Sequence, residues 1–210
     1  MPLVAPPGSL QARPKASHPP STLARMATTT AARLTAEEYF VAAAGDPRPT
    51  QLIDGVIVPS QPKFRHQDIT GLIYMRLRTW VESDDGFGVA GIPIDVIVDH
   101  YNVYAADVWW LADPERIDPD EYFSGVPDLA VEVRSPSTWR YDIGRKKRRY
   151  EQHALPELWL VDTDGDVVLV YRRSSGRAGE FDVELELARP DVVTAPQLPG
   201  FELAVAEILR

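Results

Sequence analysis

Asp107 and Glu132 each interrupt an apolar run, Ala105-Ala106-Asp107-Val108-Trp109-Trp110 and Leu129-Ala130-Val131-Glu132-Val133. An ionised carboxylate inside a sheet is costly unless it is paired or binds a metal. Two of them, on strands able to be neighbours, suggest a shared divalent cation, and oxygen-only donors favour magnesium or manganese over zinc. Asp142, Lys146 and Tyr150 follow at intervals of four, which places them on one stripe of a helix. The same spacing also suits a plainer arrangement, with Asp142 as an N-cap and its pairing to Lys146 an exposed salt bridge. Glu157-Leu158-Trp159-Leu160-Val161-Asp162 closes the block as a buried strand with acidic ends.

The elements that must position these groups can be read from local patterns. Thr35 and Glu38 match a capping box for a helix over 36–44, stopped by Gly45-Asp46-Pro47. Leu52-Ile53 and Val56-Ile57-Val58 flank Asp54-Gly55, a strong hairpin signal. Ile69, Leu72, Ile73, Leu77 and Trp80 recur at helical spacing and predict a long amphipathic helix over 66–82. Strands are expected at 92–98, 103–111, 128–133, 158–161, 167–171 and 181–187, with a basic helix over 143–153. In the third of these strands Leu129, Val131 and Val133 alternate with Asp128, Ala130 and Glu132. One face is therefore apolar and the other carries two carboxylates. The pattern is mixed α/β in one domain.

Composition narrows the function. The chain has 210 residues, a net charge of −9 and no cysteine. Disulfides, thiolate zinc sites and cysteine nucleophiles are excluded, and the absence of cysteine fits a reducing cytoplasm. No apolar run approaches the ~20 residues that span a bilayer. A Walker loop, a nucleophile elbow and an oxyanion glycine loop are all missing, which argues against NTPase and serine-hydrolase chemistry. The charge is segregated. Arg134 to Arg149 holds seven basic residues against one acid, in an otherwise acidic body. Six of the 19 prolines fall within residues 1–25. Residues 1–33 are therefore expected to be a disordered Pro-rich tail, with Met26 as an alternative start, and 34–210 the folded domain.

Taken in order, several motifs resemble the Uma family of restriction endonucleases. They are Leu34-Thr35-Ala36-Glu37-Glu38-Tyr39, Leu52-Ile53-Asp54-Gly55, His66, Gly125 to Val133, Ser135-Pro136-Ser137-Thr138, the Asp142–Lys146–Tyr150 stripe and Pro156 to Asp162. The resemblance covers roughly residues 34–209. It implies a restriction-endonuclease-like PD-(D/E)XK fold, a mixed central β-sheet flanked by α-helices, and magnesium-dependent hydrolysis of DNA. It assigns Asp107 and Glu132, with the backbone carbonyl of Val133, to the metal, and Lys146 to the attacked phosphate or the attacking water. Three positions depart from the family pattern. Arg134 stands where a lysine usually follows the acid, Ala106 replaces a proline, and Gln51 replaces a glutamate and cannot lend negative charge to a cation.

Arg134 cannot act as a base but suits a non-bridging phosphate oxygen. Arg140, Arg145, Lys147, Arg148 and Arg149 are expected to contact the DNA backbone. His66, Gln51, Asp128 and Tyr150 are accessory candidates, and a homodimer is expected. The departures at Gln51 and Arg134 leave a second reading, a catalytically impaired nuclease-fold module that binds nucleic acid or protein.

Overall fold

The computed structural model describes residues 33–44 and 48–210. The expected Pro-rich tail and the Gly45-Asp46-Pro47 helix stop lie outside the described residues.

Thr35 and Glu38 form the capping box that their spacing predicts. Thr35 Oγ accepts from the Glu38 amide at 3.2 Å, and the Glu38 carboxylate accepts from the Thr35 amide at 2.8 Å. These bonds hold the Glu38 carboxyl below its ordinary range. They start α1 (Ala36–Ala43), which buries Tyr39. Thr35→Ala should cost about 1 kcal/mol, read as a fall in Tm of about 2–4 °C. β1 (Thr50–Ile53) and β2 (Val56–Pro59) form the hairpin around Asp54 and Gly55. Both turn residues have positive φ, 51° and 79°, as the tight turn between twisted strands requires. α2 (Phe64–Val81) buries Ile69, Ile73, Leu77 and Trp80 along one side.

The next strands are β3 (Val89–Gly91), β4 (Val96–Asp99), β5 (Asn102–Tyr104) and β6 (Val108–Leu111). A 3₁₀ turn and the short β7 (Phe123–Ser124) lead to β8 (Leu129–Val133). A helical run comes next: α3 (Trp139–Tyr141), a π-turn over Asp142–Lys146, then α4 (Lys147–Gln152). The chain continues through β9 (Glu157–Asp162), β10 (Val167–Arg172) and β11 (Val183–Ala188). It ends in β12 (Val192–Val193), β13 (Leu203–Ala204) and α5 (Val205–Ile208).

The architecture is mixed α/β, but with two large sheets where one central sheet was expected. The first has the order β11-β10-β9-β8-β6-β3 and the second β2-β1-β5-β4-β7. β8 and β9 run parallel, joined through the helical run, while the other neighbours in the first sheet are antiparallel. The single strand expected over 103–111 is divided. β5 joins the second sheet and β6 the first, so the chain must leave one ladder at 105–107 to enter the other. The strand expected over 92–98 shortens to β4. Pro93 has no amide to give a ladder, and Ile92 and Ile94 are exposed.

Both faces of the first sheet are covered. Leu129, Val131 and Val133 pack with Trp159, Val161 and the apolar side of α2. Ala130, on the opposite face, packs with Trp109, Tyr150, Leu158 and Leu160. The period of two therefore sends Glu132 into this second layer, where it is buried.

Candidate active site

Register brings the two carboxylates together. β6 and β8 pair antiparallel as Val108↔Val131, Trp109↔Ala130 and Trp110↔Leu129. Asp107 and Glu132 each lie one residue beyond the last paired positions, and the Asp107 charge acts on Glu132. Asp107 has left the strand proper, and its Oδ2 accepts the Val133 amide at 2.7 Å. His66, in the first turn of α2, places Nε2 3.1 Å from the same oxygen. Thr70, one turn later, backs the other ring nitrogen at 3.5 Å.

The helical run supplies the cation. Lys146 Nζ lies 2.7 Å from Glu132 Oε1 and 3.0 Å from Asp142 Oδ1. Tyr150, a further turn along the stripe, donates its hydroxyl to Glu132 Oε1 at 3.1 Å. Asp142 and Lys146 are each 1% exposed and Glu132 3%. The exposed salt bridge that the sequence also allowed for Asp142 and Lys146 is thus not what forms, because the stripe faces the sheet. The expected helix begins four residues earlier and carries a π-turn that spans Asp142 to Lys146, both buried.

Burial pushes Glu132 up to about 8, helped by Asp142 and Asp107 and opposed by Lys146. Burial likewise raises Asp142 and Tyr150. Burial alone would lower Lys146, but Asp142 and Glu132 together override it and raise its pKa, so the ammonium stays charged. Although close to both carboxylates, Lys146 Nζ lacks well-aligned hydrogen-bond geometry to either. One ammonium serves two buried carboxylates, with a third at Asp107.

This donor set fits one hard cation. Among the described residues the hydrogen bonds at the site converge on Oδ2 of Asp107 and Oε1 of Glu132. Oδ1 and Oε2 remain as oxygen donors of the kind that magnesium or manganese takes. No cluster of three or more His, Cys, Asp or Glu side chains suited to a metal occurs among the described residues. A cation there would therefore need the Val133 carbonyl, water or substrate to complete its shell.

Beside His66 a cleft of about 530 Å³ is lined by Lys63, Arg65, Arg134, Ser135, Trp139 and Arg140, among others. Arg134 and Arg140 are the candidates from the basic segment that reach it. Arg134 is held by Asp162 and Asp164, both at 2.8 Å. The structure does not bring Arg145, Lys147 and Arg149 to this cleft. Arg145 and Arg149 pair with Asp54 at 3.5 and 3.1 Å, Arg149 also with Asp99 at 3.3 Å, and Lys147 with Glu184 at 3.4 Å. Mutual repulsion along the helix is relieved inside the protein.

Asp128 lies at the other end of β8, about 13 Å of strand away from Glu132, where it accepts from the Ala112 amide and pairs with Arg116. Gln51 accepts from the Ala105 amide at 3.3 Å and so braces the segment leading to Asp107. Lys63, Arg65 and Trp139 were not picked out from the sequence. Two cations around the start of a helix, Lys63 at its N-cap and Arg65 in its first turn, are too common a signal to stand out. Asp142 was seen on the stripe, but its burial was not.

A family model, Uma2, described as putative restriction endonuclease, matches residues 36–206. Among solved structures, a putative nuclease belonging to DUF820 from Anabaena variabilis has the same fold with a TM-score of 0.67 and 16% identity. The match covers 84% of this chain and 97% of that one. No curated protein matches the chain. No helix among the described residues is long and apolar enough to cross a membrane. With 171 residues matched in order, including the strand and the helical run that carry Glu132 and Lys146, the chain belongs to the Uma2 family.

Proposed function

We propose that this protein is a magnesium-dependent endonuclease that hydrolyses DNA phosphodiester bonds, with residues 34–210 acting as one nuclease domain. The observation that carries this reading is Lys146 Nζ at 2.7 Å from Glu132, with the Asp107 carboxylate held at 2.7 Å by the amide of the next residue, Val133. Asp107, Glu132 and the Val133 carbonyl would hold one magnesium, with manganese as a substitute. Bound there, the ion would polarise the scissile phosphate and lower the pKa of a coordinated water.

The chain's own groups do the rest. The Val133 amide and His66 fix Asp107, so one of its oxygens is oriented without a rotamer search. Tyr150 orients Glu132. Lys146 keeps its proton and faces negative charge developing at phosphorus, a role for a compact and movable ammonium. Lys63, Arg65 and Arg140 line the approach and suit phosphate contacts. We place the protein in the cytoplasm, working as a homodimer with one centre for each DNA strand.

Plasmid nicking with and without magnesium tests the reading. Wild type should nick only with the metal, and Glu132→Ala should reduce nicking to background. The variant should still melt cooperatively, because Lys146 retains Asp142 as its counter-charge. Nicking that persists in Glu132→Ala removes this centre from the chemistry. DNA binding without any nicking by wild type favours the impaired-module reading.

A further inference from the structure

Trp139 is an aromatic plane in the cleft that phosphate contacts leave unused. It lines the wall with Lys63, Arg65, Arg134 and Arg140. It is half-buried, and packs against the layer that contains Tyr150 and Leu160. The Arg134 guanidinium lies over its ring, 5.2 Å from the centroid. Asp162 and Asp164 hold that guanidinium from two directions at 2.8 Å. Arg134 thus has its charge answered within the protein and its plane fixed, which suits stacking better than capture of a phosphate.

Charge elsewhere in the cleft is less committed. Lys63 and Arg140 are exposed and form no ion pair among the described residues, Arg140 donating to the neutral Tyr141 hydroxyl at 2.9 Å. Arg65 donates to the Thr163 carbonyl at 3.1 Å and meets a carboxylate, Asp166, at 3.6 Å. Bases stack on aromatic rings and on arginine planes alike. A volume of about 530 Å³ lies within the range of small-molecule pockets. A ring set into a cleft wall cannot reach a base that stays stacked in a duplex, so the base must leave the stack to meet it.

We propose that this cleft receives one unpaired nucleotide, its base stacked against the Trp139–Arg134 pair and its phosphates facing Lys63, Arg65 and Arg140. The inference rests on the phosphodiesterase reading and names the form of substrate that its cleft selects.

The test compares fluorescein-labelled dT20, an abasic 20-mer and the dT20·dA20 duplex by anisotropy in EDTA, where nothing is cut. The full chain is used as wild type, Trp139→Phe and Trp139→Leu. Both variants keep apolar packing at 139, and only one keeps a ring. Wild type should bind dT20 at least about fivefold more tightly than the abasic strand, the lower bound for one stacked base. It should also bind dT20 more tightly than the duplex. Trp139→Phe should keep most of that preference and Trp139→Leu should lose it.

A preference for dT20 unchanged in Trp139→Leu, tighter binding to the duplex, or no binding by wild type overturns the inference. Plasmid nicking on the same preparations separates the two readings. Nicking without any base preference removes the nucleotide subsite alone. Base preference without nicking removes the phosphodiesterase alone.

Discussion

Lys146→Met is expected to lower the unfolding free energy by about 3–5 kcal/mol near pH 8, the range for breaking a buried ion pair. Most of that loss should return as the pH falls towards 5. The residue change removes the cation that pairs with both Glu132 and Asp142. Each carboxyl is almost fully buried, so neither can be solvated in its place. Their folded-state pKa values, already raised by burial, rise further once the ammonium is gone.

A carboxyl whose pKa is higher in the folded than in the unfolded chain contributes stability that is complete below its unfolded value. That stability is lost as the pH rises through the folded value. The variant should therefore be close to wild type near pH 4–5 and furthest from it near pH 8. Asp99 and Asp162, whose carboxyls are lowered, act in the opposite direction at low pH. They do so in both proteins, and the difference between the two isolates the cluster. Urea unfolding at pH 5, 7 and 8.5 measures it. Adding Glu132→Gln and Asp142→Asn to Lys146→Met should flatten the pH dependence of that difference. A pH-independent loss in Lys146→Met would show that packing, not charge, is at stake.

The second large effect is on metal binding. Glu132 is pushed up to about 8 by burial, against the pull of Lys146, so below that pH a proton competes for its carboxylate. A cation that uses its carboxylate must displace that proton. Magnesium affinity should therefore rise about tenfold per pH unit from 6 to 8, then level off. At a concentration near one hundred times its Kd, magnesium should raise Tm by about 5–10 °C. The shift should shrink as the pH is lowered. Without metal the same group works the other way: its contribution to stability is complete below 4.5 and lost as the pH rises through about 8. Glu132→Gln should abolish both the shift and its pH dependence. Thermal melts across pH 6–9, with calorimetry in buffers of different ionisation enthalpy to count the proton released, check both claims.

Much of the local structure was legible because its causes are local. The capping box, the Asp-Gly hairpin and the buried side of α2 each depend on residues within one or two turns of one another. The Asp142–Lys146–Tyr150 stripe was legible for the same reason. The division of residues 103–111 between two sheets was not, because β5 (Asn102-Val103-Tyr104) and β6 (Val108-Trp109-Trp110-Leu111) both suit a strand and local pattern does not say which partner each finds. Nor was the placement of the basic segment. A run of arginines reads alike whether its counter-charges are phosphates or, as for Arg145 and Arg149, Asp54 and Asp99.

From the sequence alone came the family resemblance, the mixed α/β class and the residue types that could hold a cation. Those are carried by order and spacing along the chain. Only the tertiary structure decided that Asp107 is bonded to the amide that follows Glu132, that Asp142 is buried against Lys146, and that Lys63, Arg65 and Trp139 share a cleft with Arg134. The reason is physical. A side chain's neighbours a turn away follow from backbone geometry, whereas neighbours 25 or 70 residues away follow from strand register and from which face of a helix is buried. Burial then sets the charge state of Glu132, which no property of the isolated residue could do.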